Sequence, residues 1–147
     1  MRKLQKTMLI IMLSAVLSPA SLVVNAQTLT SEADLVSKIN TARTDAGLET
    51  LAVDAELTKA AQIRAKEAAE SFSHTRPDGS AFYTVSDKTN SENLAKGESY
   101  NTTEEYMAMW MNSKTHRDNI LYQTSTKTGI GIYEAPDGSI FIAEEFN

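Results

Sequence analysis

Two histidines, His74 and His116, and the loop glutamate Glu92 are the side chains of this chain whose types could build a site. Two imidazoles and a carboxylate make the ligand set of an open zinc centre, with water in the remaining position. They equally suit a polar cavity that holds a divalent ion weakly, or a proton-sensitive site, because free histidine titrates near ~6.5. Neither histidine belongs to HExxH, to a C2H2 spacing or to another local metal motif. Taken alone, either one fits an ordinary loop or helix end whose imidazole bonds a backbone carbonyl. Position argues for more. His74 stands just before Arg76-Pro77-Asp78-Gly79, with proline second and glycine fourth as in a type I turn, so stiff backbone carries it. Glu92 lies in SENLA among small and polar residues, where a carboxylate can reach a cleft.

Ser113 and His116 could meet at helical i,i+3 spacing, but no third group is placed to orient the histidine and no G-x-S-x-G elbow occurs. Nucleophilic catalysis is therefore poorly supported. Tyr106, Trp110 and Ser113 share a helix face, and His116 flanks that face if the helix lasts through it. Trp110 reads as a core anchor. The acid pairs Glu104-Glu105 and Glu144-Glu145 read as solvated helix and strand ends.

The elements that must position these residues follow from the pattern. Ser31 and Asp34 open a first helix in which Leu35, Ile39 and Ala42 recur at helical spacing. Asp54 caps a second, whose stripe of Leu57, Ala60, Ala61, Ile63, Arg64, Ala65 and Ala68 is rich in small residues and permits close packing. SAFYTVSDKTN holds a short extended piece, and SENLAKGESYN reads as a loop. Thr102 and Glu105 form a capping box for a third helix, and HRDNIL continues as a shorter turn or helix. TGIGIYEA, a Pro-Asp-Gly turn and SIFIAEEF make a β-hairpin. The glycines of GIG fit close backbone packing better than a phosphate loop, since no lysine follows. Helices first and a hairpin last point to α+β with an antiparallel sheet.

Arg2, Lys3 and Lys6 precede the apolar run MLIIMLSAVL, and Val24-Asn25-Ala26 is a small-residue cleavage pattern. Residues 1–26 thus read as a secretory signal peptide, with one domain over 27–147 and a secreted, extracellular product. Without the leader's three cations, 11 Lys and Arg face 19 Asp and Glu, a net charge of −8. Such a chain is repelled by phosphate backbones and anionic lipid, so nucleic acid and membrane surfaces are excluded as partners. The absence of cysteine excludes a disulfide framework.

Four stretches in register, LVSKINTARTDAGLETLAVDAELTKAAQIRAKEAAESFSHTRPDGSAF, SENLAKG, MAMWMNSKTHRDNIL and TGIGIY, resemble the bacterial branch of the CAP superfamily, whose module is also called the SCP domain. The resemblance implies a three-layer α-β-α sandwich with a central antiparallel sheet. It also implies a cleft lined by two histidines and two glutamates that in some members binds zinc or another divalent cation. Matched by position, His74, Glu92 and His116 fall on three of the four family residues, while Ser113 stands where the second glutamate belongs. Asn119 takes roughly the place of a family glutamine. With serine at 113 a full tetrad cannot form, and any divalent cation, zinc included, should be held weakly by His74, His116 and Glu92. The expected function is an extracellular binding module for a small ligand or a cell-envelope component. The alternative is a metal-dependent hydrolase with Glu92 as base.

Overall fold

The computed structural model describes residues 30–147. The expected leader over 1–26 and the expected domain start at Gln27 lie outside the described residues. Helix α1 (Glu32–Asp45) starts where Ser31 Oγ accepts the Asp34 N–H at 3.1 Å, and it buries Leu35 and Ile39. Helix α2 (Ala55–Glu70) is capped by Asp54, whose Oδ1 accepts the N–H groups of Glu56 and Leu57 at 2.9 and 3.2 Å. Its buried stripe is Leu57, Ala60, Ala61, Arg64, Ala65 and Ala68. Ile63, expected on that stripe, is 38 % exposed; six residues from Leu57 is roughly 240° around the helix, off the packed face.

Helices α3 (Thr103–Asn112) and α4 (Lys114–Ile120) are separated by Ser113 in an extended conformation. The capping box between Thr102 and Glu105 is complete. Strands β1 (Ala52–Val53), β2 (Ser91–Glu98), β3 (Lys127–Glu134) and β4 (Ser139–Phe146) form one sheet in the order β1-β3-β4-β2. The hairpin β3–β4 and the pair β2–β4 are antiparallel, whereas β1 joins β3 in parallel, so the expected antiparallel sheet is a mixed one. The segment expected as a loop, SENLAKGE, is β2. The extended piece expected after the turn is instead a 3-10 turn, Phe82–Val85.

The sheet divides the core. On one side, the alanines of α2 pack on Leu94, Phe141 and Ala143. On the other, Leu35 and Ile39 of α1, Tyr106 and Trp110 of α3 and Ile120 of α4 pack on Ile130, Ile142 and Phe146. This is a three-layer α-β-α sandwich of the α+β class. The α2 layer lies very close to β3. A Cβ added at Gly129 would fall 2.1 Å from the Thr58 nitrogen, and one at Gly131 would fall 2.3 Å from that of Gln62. The GIG glycines thus serve close packing.

β2 is an edge strand, and side chains from the helical layer satisfy its outward backbone groups. Asn119 Nδ2 donates to the Glu92 carbonyl (3.2 Å), Trp110 Nε1 donates to that of Leu94 (3.1 Å), and Asn101 Oδ1 accepts the Glu98 N–H (2.7 Å). Among the described residues no helix is long and apolar enough to cross a membrane.

Candidate functional site

His74 leaves the end of α2 on a short, closed loop. The turn after it forms as expected, with the Gly79 N–H bonding the Arg76 carbonyl at 2.9 Å. The Arg76 N–H meets the Ser80 carbonyl (2.8 Å), and the Phe82 N–H returns to the carbonyl of His74 itself (3.0 Å). The imidazole packs edge-on to Phe82, with ring centroids 6.0 Å apart. Its Nδ1 lies 2.8 Å from Glu92 Oε1. In the neutral ring that contact keeps the proton on Nδ1 and leaves Nε2 as the nitrogen not committed to Glu92.

Glu92 is not a free loop carboxylate. It lies inside β2, buried, and is paired with an equally buried Arg64 of α2: Arg64 Nε donates to Oε2 at 2.6 Å and Nη2 to Oε1 at 3.2 Å. Arg64 also donates to Glu67 (2.7 Å) and to the Ser73 carbonyl (2.7 Å), and Glu67 accepts from Arg76 Nη2 at 2.7 Å. A continuous chain of charges, Arg76–Glu67–Arg64–Glu92, thus ties the loop at both ends to the imidazole it carries. Burial pushes the Glu92 carboxyl up, but the bonds from His74 and Arg64 outweigh it and hold the group below the usual carboxylate range. Burial likewise works against the Arg64 cation, yet its bonds to Glu92 and Glu67 leave it raised.

A third acid belongs to this cluster. Glu145 of β4 sits directly across from Glu92 in the strand register and is fully buried. Among the described residues no donor reaches either of its oxygens. Burial first, and then the negative charge of Glu92, push it up to about 10, so at neutral pH it keeps a proton to share with Glu92. Glu144, on the opposite sheet face, is pushed by burial to about 8, with Asn93 Nδ2 3.2 Å from Oε2. The expectation that Glu144-Glu145 is a solvated strand end is overturned, because β4 is covered on both faces.

His116 lies in α4. Its carbonyl accepts from Asn93 Nδ2 at 3.1 Å, and its ring Nδ1 is buried without a partner among the described residues. Burial, then repulsion from His74, lowers its pKa. His116 is tied through Asn93 to β2, beside Glu92. The helix-face route to this proximity fails, however, since the extended Ser113 ends α3 and α4 restarts with its own orientation. Ser113 is half-buried at that junction, where its carbonyl accepts from the Arg117 N–H at 2.9 Å. Asn119 spends its amide N–H groups on the Glu92 carbonyl and on Asn93 Oδ1 (2.9 Å), so it holds β2 in place.

These residues do not fit a three-ligand metal centre. Among the described residues no group of three or more His, Cys, Asp or Glu is placed to hold an ion, and both Glu92 oxygens are engaged by Arg64 and His74. Arg64 and Glu145 are the site residues that sequence reasoning missed. Arg64 had a signal: an arginine inside an otherwise small apolar stripe must find a buried partner.

Comparison with known proteins places the geometry. Residues 36–144 match the family model of the cysteine-rich secretory protein family, CAP. The chain belongs to the CAP family. YkwD, an uncharacterized protein of Bacillus subtilis strain 168, is 37 % identical over 118 residues, which cover 75 % of this chain and 44 % of YkwD. The chain therefore spans less than half the length of that CAP relative. Among solved CAP-like structures, an outer surface protein of Borrelia burgdorferi superposes with a TM-score of 0.64 at 20 % identity, covering 78 % of this chain and 89 % of that one. An extracellular SCP-domain protein of Bacillus anthracis gives 0.64 at 20 % identity, covering 79 % and 40 %. At such identity the likeness speaks for the fold. The CAP fold expected from the motifs is the one observed.

Proposed function

We propose that this CAP domain is an exported binding module whose cleft presents the exposed imidazole of His74, backed by the Glu92–Arg64 pair and flanked by His116 and Ser113, to a small ligand or a cell-envelope component. The observation that carries this reading is the buried ion pair behind a half-exposed ring: Glu92 and Arg64 side chains are 0 % exposed, and His74 is 54 % exposed. That arrangement holds one imidazole in a single tautomer and orientation, as recognition requires. It suits a general base poorly, because a carboxylate held below its usual range by a fixed guanidinium accepts protons weakly. A hydrolase with Glu92 as base is thus the less supported of the two readings. Export is supported by the leader-like N-terminus and by the extracellular and outer-surface names of the structural neighbours.

The test is co-sedimentation of the full chain with purified bacterial cell envelopes. The parent protein should be retained, and a His74→Ala/His116→Ala double variant with an unchanged melting curve should not be. Equal retention of the two proteins rejects the cleft as the binding site. Near-stoichiometric zinc in tag-free protein, together with chelator-sensitive hydrolysis of ester or peptide substrates, would establish the hydrolase instead.

A further inference from the structure

A concavity lies beside this site and none of the chemistry above uses it. A pocket of about 490 Å3 is lined by Asn90, Ser91, Asn119, Tyr122, Thr124 and Asn147, at the corner where β2 begins, β4 ends and the α4–β3 connection passes. Its volume falls within the ~300–1,000 Å3 of ordinary small-ligand sites.

The lining is polar, and none of its side chains is an ionisable acid or base except the phenol. Charges on the flanking elements are engaged elsewhere. The Lys127 ammonium lies 3.3 Å from Asp54, Lys114 pairs with Asp118 at 2.6 Å, and the Arg117 guanidinium donates to the Met111 carbonyl at 2.7 Å. The lining side chains thus offer no cation to select a phosphate or a carboxylate and no carboxylate to hold a metal ion. Three amides and three hydroxyls, between them offering both donors and acceptors, match instead a ligand dense in hydroxyl groups.

The walls are fixed before any ligand arrives. Asn147 Oδ1 accepts the N–H groups of Thr126 and Lys127 at 2.9 and 2.7 Å, and its Nδ2 donates to Thr126 Oγ1 at 3.0 Å. Asn119 is anchored on β2 through Nδ2, which leaves its Oδ1 as an acceptor. The Asn90 N–H is held by the Phe146 carbonyl at 2.8 Å. Tyr122 is pinned by its backbone: its carbonyl accepts from the buried Arg43 at 3.0 Å and its N–H meets the Asn119 carbonyl at 3.2 Å. The residue is nevertheless 58 % exposed. An aromatic ring left in water on a rigid backbone, beside accessible amides and hydroxyls, is a platform for the flat C–H face of a sugar.

We infer that this pocket binds a short neutral saccharide, with the Tyr122 ring stacked on one sugar face and the amides of Asn90 and Asn119 and the hydroxyls of Ser91 and Thr124 bonding its hydroxyl groups. The site is distinct from the His74 cluster and meets it at Asn119, which bonds the Glu92 carbonyl.

The test is a nuclear magnetic resonance titration of the 15N-labelled full chain with N,N′-diacetylchitobiose, maltose and glucose 6-phosphate. At least one neutral disaccharide should give saturable shifts at Asn90, Ser91, Tyr122 and Thr124. Tyr122→Ala should weaken it by about tenfold, the scale of a lost stacking contact with its buried area. Asn90→Ala serves as a second surface variant that should also weaken it, and His74→Ala should leave it unchanged. No saturable shift with either neutral sugar, tighter binding of the phosphorylated one, or shifts centred on His74 and His116 would each overturn the assignment. Failure here leaves envelope retention through His74 untouched, and the reverse also holds.

Discussion

At the scale of single residues, Arg64 decides what the candidate site can do. It joins α2 to β2, neutralises Glu92 and supports the loop that carries His74. Removing one partner of a buried ion pair strands the other, at a cost of about 3–5 kcal/mol. Arg64→Ala should therefore destabilise the domain by about that amount in denaturant unfolding, and Arg64→Met combined with Glu92→Gln should recover a large part of it. A loss below about 1 kcal/mol for the single variant would show Glu92 to be solvated and the anchoring role unfounded. His74, Glu92 and His116 were nameable beforehand because their short motifs are distinctive. Arg64 and Glu145 were not, because their importance arises from packing. Glu145 meets Glu92 only through the β2–β4 register, 53 residues away in sequence.

At the scale of elements, the chain reveals those whose local pattern agrees with their place in the fold. Capped helices and the β3–β4 hairpin are of this kind. Strand β2 is not: Ser, Asn, Lys and Gly give it weak β-propensity, and it buries both Glu92 and Asn93 on opposite faces, so no alternation marks it. Tertiary partners supply what its sequence lacks, namely β4 on one side and the side chains of Trp110, Asn119 and Asn101 on the other. The closest fit in the fold, α2 over β3, makes its own prediction. At Gly131 a methyl group would meet the Ala61–Gln62 backbone at 2.3–2.5 Å, and helix backbone cannot swing aside as a side chain can. Gly131→Ala should cost at least the ~1–3 kcal/mol of core overpacking, read as a lowered melting temperature. An unchanged melting temperature would mean that α2 sits farther from the sheet than described.

At the scale of the whole molecule, the distribution of protons between folded and unfolded chain sets how stability varies with pH. Two opposed sets of acids are present. Asp54, lowered to about 2 by the helix N–H groups it caps, Glu67, lowered by its arginine partners, and Glu92, lowered by His74 and Arg64, stabilise the fold above the unfolded carboxylate range and lose that contribution as pH falls. Glu144 and Glu145 act in the other direction. Their folded forms keep protons up to about 8 and about 10, whereas the unfolded chain releases them near ~4.3. Above that point the unfolded state binds fewer protons than the folded one, so stability declines with rising pH, by up to about 1.4 kcal/mol per pH unit for each group. His116, lowered by burial, gives the opposite slope below ~6.5, one proton against two. The melting temperature should thus peak in mildly acidic solution and fall from about pH 5 to about pH 8. Glu144 provides the cleanest check, since it lies across the sheet from the His74 cluster. Among the described residues the groups around it are Asn93, Thr128 and, as the facing charge, Arg43 of α1. In Glu144→Gln the amide N–H can donate toward Thr128 as the protonated acid does, while its oxygen accepts from Asn93, and nothing remains to ionise. That variant should match the parent near pH ~5, exceed it near pH ~8 and flatten the slope between them by one proton. A parent and variant that lose stability in parallel over this range would show that Glu144 is ionised in the folded protein, with Arg43 as its counter-ion.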